Sequence, residues 1–156
     1  MPELVTTVKQ LNFPEASLRL RQHADYTEVF DPLRKKYVVL TEEEWVRQNV
    51  ISFLVNHRDV PLHMMASERG LLVNGLHKRF DIVVYASGGK PKMIIECKAP
   101  HIKLDEDVLY QAARYNMALQ VKYLFITNGI EHQCIEIDYT SSSIRFLDEI
   151  PFYSHY

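Results

Sequence analysis

The sequence is short of the features that mark a special environment. It holds two cysteines, Cys97 and Cys134, in 156 residues. Each adjoins apolar residues in a predicted strand, which excludes a disulfide framework and reads as reduced thiols of a cytoplasmic protein. There is no basic-then-apolar leader and no apolar run near the roughly 18 residues that a membrane span needs, so neither secretion nor membrane insertion is expected. The seven histidines show no H-x-x-x-H and no paired-cysteine spacing, which argues against zinc. Charge of neither sign dominates: the formal net charge is −2, so any binding of nucleic acid must come from a local basic patch or through a metal ion. Internal repeats and low-complexity tracts are absent. What remains, at 47% hydrophobic and 24% charged, is an ordinary globular composition that points to one domain with its own core.

Hydrophobic patterning places the elements. Leu18 to Arg21, Tyr26 to Phe30 and Tyr37 to Leu40 are short strand candidates around an Asp31-Pro32 turn, an added β element at the N-terminal end. Thr41 followed by Glu42, Glu43 and Glu44 is a capping-box start with acids in the first turn. The apolar positions Val46, Val50, Phe53 and Leu54 then recur at helical spacing, ending near His57. Met65 and Leu71 to Val73 suit a strand. A second helical stripe runs through Leu104, Val108, Ala112, Tyr115 and Leu119. Strands are expected at Val121 to Thr127, Cys134 to Ile137 and Ile144 to Leu147, with Asn128-Gly129 as a turn. The expected order is therefore αβββαβ with strands added at both ends. In residues this is an N-terminal extension over 1–40, a core over 41–130 and C-terminal strands over 131–156.

Between the two helices lie Arg79-Phe80-Asp81-Ile82-Val83-Val84-Tyr85 and Met93-Ile94-Ile95-Glu96-Cys97-Lys98-Ala99, separated by Ser87-Gly88-Gly89-Lys90. Paired glycines between two β-branched runs signal a hairpin. A turn centred between Gly88 and Gly89 makes antiparallel partners sum to 177, which sets Asp81 opposite Glu96. Side chains repeat every second residue along a strand, so Lys98 joins Glu96 on one face while Cys97 points away. Two opposed carboxylates are destabilising unless something positive sits between them. A divalent cation meets that need, and oxygen-only ligation suits Mg²⁺ or Mn²⁺. A lysine beside it can orient or deprotonate an attacking water, or hold a phosphate.

An aspartate followed fourteen residues later by E-x-K, set in this element order, resembles the PD-(D/E)xK nuclease superfamily. Reading outward narrows the likeness. Phe30-Asp31-Pro32-Leu33-Arg34-Lys35-Lys36-Tyr37, Leu40-Thr41-Glu42-Glu43-Glu44-Trp45-Val46-Arg47-Gln48, Lys78 to Tyr85, Glu96-Cys97-Lys98-Ala99-Pro100 and Gln111-Ala112-Ala113-Arg114-Tyr115-Asn116 together resemble the N-terminal nuclease domain of type I restriction enzyme R subunits. The likeness covers roughly residues 28–130. It implies an α/β (α+β) fold with a restriction-endonuclease-like core, a mixed central sheet flanked by helices. It also implies an endonuclease that hydrolyses DNA phosphodiester bonds with Mg²⁺ or Mn²⁺. Position by position, Asp81 and Glu96 become metal ligands, Lys98 the catalytic lysine, and Glu43, with Glu44 close behind, the acid from the first helix. Gln111 and Tyr115 match a Q-x-x-x-Y pattern of one branch of these nucleases, and their spacing puts both on one helical face.

Phe80 stands where the superfamily name has proline, a degenerate position. No G-x-x-x-x-G-K-[ST] is present, and 156 residues cannot hold the ATP-driven motor of a full R subunit, so motor, methylation and specificity subunits are expected as separate partners alongside DNA. A homodimer would supply a second cut for a double-strand break. Lys78 and Arg79 are candidates for phosphate contact, as are Arg34, Lys35 and Lys36, against the plainer reading of solvated strand ends. Gln111 and Tyr115 have an equally plain alternative as helix surface and core. The competing function is a catalytically weak module that docks DNA or partner subunits without cutting; a third is action on RNA or branched DNA.

Overall fold

The computed structural model describes residues 9–73 and 75–156, with the side chains of all of these except 68, 69, 71–73, 76–78, 115 and 118. The described residues form a mixed α/β arrangement of two sheets and two α-helices. The N-terminal segment forms β1 (Leu20–Gln22), β2 (Thr27–Asp31) and β3 (Lys36–Val39), an antiparallel three-stranded sheet in sequential order. Helix α1 (Glu42–His57) begins where Thr41 accepts the Glu44 N–H at 3.1 Å through its hydroxyl, which satisfies one of the orphan donors of the first turn. Then come β4 (Met65–Val73), β5 (Leu76–Tyr85), β6 (Pro91–Cys97), α2 (Glu106–Leu119), β7 (Tyr123–Thr127), β8 (His132–Asp138) and β9 (Ser143–Leu147).

Strands β4 to β9 form one six-stranded sheet in sequential order. All neighbours are antiparallel except β6 and β7, which run parallel because α2 crosses over between them. Alternation on β6 and β7 sends side chains to both faces, and both faces are covered. Met93, Ile95, Cys97, Tyr123 and Phe125 join Val46, Val50 and Leu54 of α1 in one core cluster. Ile94, Leu124 and Ile126 join Leu104, Phe80 and Ile135 in a second, against which Val108, Leu109 and Ala112 of α2 pack. All five residues of β7 are buried, as a strand covered on both sides must be.

Three local details differ from the sequence expectation. Helix α2 starts at Glu106 rather than at Leu104, because Asp105 turns its carboxylate onto the Val108 N–H at 3.0 Å and caps the helix there. The first strand is shifted to Leu20–Gln22. The β5–β6 connection is looser than a two-residue turn: Tyr85 pairs with Pro91 after a register shift, and the loop closes through Ala86 N–H to Lys90 O at 2.9 Å and Gly89 N–H to Ala86 O at 3.1 Å. Above that shift the partners are Val84 with Met93, Val83 with Ile94 and Ile82 with Ile95, the register that the glycine pair implies.

Gly129 closes the β7–β8 turn at φ +89°, and a methyl there would lie 2.7 Å from Leu11 Cδ2 and 3.1 Å from Val46 Cγ2. Gly129→Ala combines the left-handed backbone penalty with that crowding, and is expected to cost about 1–2 kcal/mol in urea denaturation. A variant as stable as the wild type would show that the turn relaxes freely.

Candidate active site

The site grows from the end of the β5–β6 ladder. Pairing stops at Ile82 with Ile95, so the next residue pair, Asp81 and Glu96, is not joined backbone to backbone. This leaves the Cys97 N–H open, and Asp81 Oδ2 accepts it at 2.6 Å. The other oxygen, Oδ1, accepts from Arg47 Nη2 of α1 at 3.2 Å. The Asp81 carbonyl takes the Ser67 hydroxyl at 3.3 Å, which ties the same residue to β4. The aspartate is therefore fixed from three strands or helices, on rigid elements rather than on a loop.

Asp81, Glu96 and Lys98, expected on one face, take different surroundings. Glu96 and Lys98 do lie together, lining a cavity of about 220 Å³ under α2 with Gln111, Phe80, Ile94 and Val108. Asp81 does not line it, because the open Cys97 N–H and the Arg47 guanidinium draw its carboxylate toward α1. Among the described residues no three His, Cys, Asp or Glu side chains are grouped as an ion-binding set. The positive charge facing Asp81 is an arginine.

Arg47, part of the first-helix motif, was given no role at the site from the sequence. Its side chain is 6% exposed, with Nη1 at 3.2 Å from Glu44 Oε2 and Nη2 at 3.9 Å from Glu43 Oε1. The signal was present in the sequence as acids three and four residues before an arginine on one helix. Glu44 also pairs with Arg34 and accepts from Gln48 Nε2 at 3.3 Å, while Arg34 pairs with the fully buried Asp31. Asp31 in turn caps the β2–β3 turn through the N–H groups of Leu33 and Arg34 at 2.8 and 3.4 Å. Arg34 thus belongs to a buried ion-pair chain and not to a phosphate-binding patch with Lys35 and Lys36.

The two candidate helix acids are separated by this chain. Glu44 is consumed by two arginines; burial still lifts its carboxyl, against the pull of Arg47 and Arg34. Glu43 keeps 48% of its side chain exposed and looks toward the site. Its carboxyl is raised first by burial and then by the negative charge of Asp81, with Arg47 and Lys98 opposing. A carboxyl whose pKa is raised on folding binds its proton more tightly in the folded state. The resulting penalty is absent below the unfolded pKa, grows as pH rises through the folded one, and is complete above it. Glu43→Gln is therefore expected to exceed the wild type in stability near neutral pH and to lose that advantage at about pH 4, in urea denaturation at both values. An advantage independent of pH would contradict the assignment of the strain to the Glu43 charge.

Burial, followed by the charge of Asp81, pushes the Cys97 thiol well above its usual range, so it offers no thiolate near neutrality. The Lys98 N–H donates to Thr127 O at 2.8 Å, extending the β6–β7 pairing and fixing where the lysine leaves the sheet. Gln111 is exposed on α2 and faces the cavity of Glu96 and Lys98. Tyr115 lies one turn further along α2, with its side chain outside the described residues. Lys78 and Arg79 are both on β5; Arg79 is exposed, and the Lys78 side chain is outside the described residues.

The mixed sheet thus carries Asp81 on β5 where its pairing with β6 ends, and Glu96 and Lys98 at the end of β6, with Glu43 on α1. Residues 42–151 match the family model of the type I restriction enzyme R protein N terminus. The chain belongs to that family. Among solved structures it is similar to a fragment assigned as an HsdR subunit of a type I restriction enzyme from Vibrio vulnificus YJ016, with 19% sequence identity and a TM-score of 0.44. That match covers 69% of this chain and 24% of the other. No curated protein matches significantly. Among the described residues no helix is long and apolar enough to cross a membrane.

Proposed function

We propose that the chain is the DNA-cleaving module of a type I restriction system, a Mg²⁺- or Mn²⁺-dependent endonuclease with a restriction-endonuclease-like αβββαβ core. What carries the reading is the end of β6. There Glu96, Lys98 and Gln111 line one cavity, Asp81 is fastened to the intervening Cys97, and Glu43 is close enough that its carboxyl and that of Asp81 act on each other.

The donors fit a hard divalent cation: carboxylate oxygens, two of them mutually repelling, with lone pairs beyond those given to Cys97 and Arg47. Asp81, Glu96 and Glu43 would hold it. Such an ion would supply Lewis-acid polarisation of the phosphodiester and neutralisation of its charge. The rest falls to the protein. Lys98 places an ammonium beside Glu96, where it orients the attacking water or donates to a phosphate oxygen as negative charge builds in the transition state. Gln111, reaching the same cavity from α2, positions the strand being cut, and Tyr115 one turn on is assigned to the same task. Lys78 and Arg79 on β5 contact flanking phosphates. Motor, methylation and specificity subunits would deliver the DNA, and two copies would provide a double-strand break.

Purified protein incubated with supercoiled plasmid and Mg²⁺ or Mn²⁺ is expected to nick or linearise it, with no cleavage in EDTA and none by Asp81→Ala. Cleavage by Asp81→Ala equal to the wild type would overturn the site. A second reading, a nuclease-like module that docks DNA or its partners without cutting, draws on one observation: Arg47 already neutralises Asp81. DNA binding indifferent to EDTA, with no metal uptake by calorimetry, would select it.

A further inference from the structure

We infer that Arg47 is a positioning residue that stands in for the cation of this site and sets how tightly that cation binds. The inference rests on the reading of Asp81 and Glu43 as ligands and deepens it. One guanidinium nitrogen, Nη2, lies 3.2 Å from Asp81 Oδ1 and 3.9 Å from Glu43 Oε1, so a single positive group faces both carboxylates. The other, Nη1, is held at 3.2 Å by Glu44 Oε2. The side chain is 6% exposed and has little freedom to swing into solvent.

Its anchor reaches far from the site. Glu44 is gripped by Arg34 and Gln48, and Arg34 by Asp31, whose carboxylate is buried in the turn between β2 and β3. The small N-terminal sheet is thereby connected through Asp31, Arg34, Glu44 and Arg47 to Asp81. Two consequences follow from charge alone. Without a metal, Arg47 supplies the positive charge beside Asp81, Glu43 and Glu44. An incoming divalent cation must share Asp81 with a fixed positive charge and is repelled by it. Arg47 therefore weakens metal binding while keeping Asp81 in place.

The sign of this effect separates the role from a merely structural one, since loss of a scaffold residue loosens a ligand set. Isothermal titration of chelator-treated protein with MnCl₂ is the test. Arg47→Met, which keeps most of the stem and removes the charge, is expected to bind Mn²⁺ about tenfold more tightly than the wild type. Arg47→Gln, which keeps an amide N–H for Asp81, is expected to do the same and serves if the Met variant does not fold. Arg47→Lys retains the charge and should stay near wild-type affinity. Equal or weaker binding by the folded neutral variants, or equal tightening by Arg47→Lys, would overturn the role of Arg47 with the site intact. No Mn²⁺ binding by the wild type would instead overturn the reading of the site itself.

Discussion

Lys98→Ala is expected to cleave plasmid roughly a hundredfold or more slowly than the wild type while binding Mn²⁺ no more weakly. Lys98 extends β6 by its N–H bond to Thr127 O, a bond that any residue can make, so its replacement leaves the backbone as it is. Its side chain lines the cavity with Glu96 and Gln111, and its charge is felt at Glu43 across the site. An ammonium so placed contributes where phosphate charge increases during reaction, which lowers the turnover rate when it is lost rather than the affinity for metal. The alanine also removes a positive charge near the ligands, so metal affinity should hold or rise. Full cleavage by Lys98→Ala would remove the lysine from the chemistry. Lost cleavage together with lost metal binding would make it a structural residue.

Glu44→Ala is expected to be the most damaging single change to stability at the site, about 3–5 kcal/mol by urea denaturation. The Glu44 side chain is 9% exposed and joins Arg34 to Arg47, themselves 20% and 6% exposed. Deleting it removes the carboxylate that both guanidiniums share, between Asp31 at one end and Asp81 at the other. Glu43→Ala makes the contrast. With the carboxylate half exposed and 3.9 Å from Arg47, the change should shift stability by well under ~1 kcal/mol and yet abolish cleavage. Equal stability losses for the two would show that the chain does not distinguish them.

Much of the fold was legible because local chemistry and tertiary packing agree. The β-branched runs on either side of Gly88-Gly89 led to the register seen from Ile82 to Val84, and α1 starts after Thr41, whose hydroxyl caps it. Where the reading slipped, a short-range group intervened: Asp105 capped α2 later than the apolar stripe began, and the Ala86 to Lys90 loop absorbed a residue. The site was harder. Strand alternation places Asp81 beside Glu96 only while the ladder continues, and it ends one residue earlier, freeing the Cys97 N–H that redirects the carboxylate. For Arg47 the sequence offered only the acids one turn back on its own helix. Its partners come from its own helix, from β5 thirty-four residues on and, through Glu44, from the β2–β3 turn, and no periodicity in one segment reports a charge balance assembled from three. The choice between Glu43 and Glu44, adjacent and alike in sequence, depends on Arg34, which the sequence offers only as part of a basic run.

The proposed cleavage needs a divalent cation at the end of β6, held by Asp81, Glu96 and Glu43. Anomalous scattering from a crystal grown with MnCl₂ addresses it most directly. The expected result is a manganese peak in contact with Asp81 and at least one of Glu96 and Glu43, with the Arg47 guanidinium shifted from Asp81 Oδ1; a map with Arg47 still on Asp81 and no peak beside it would contradict the account.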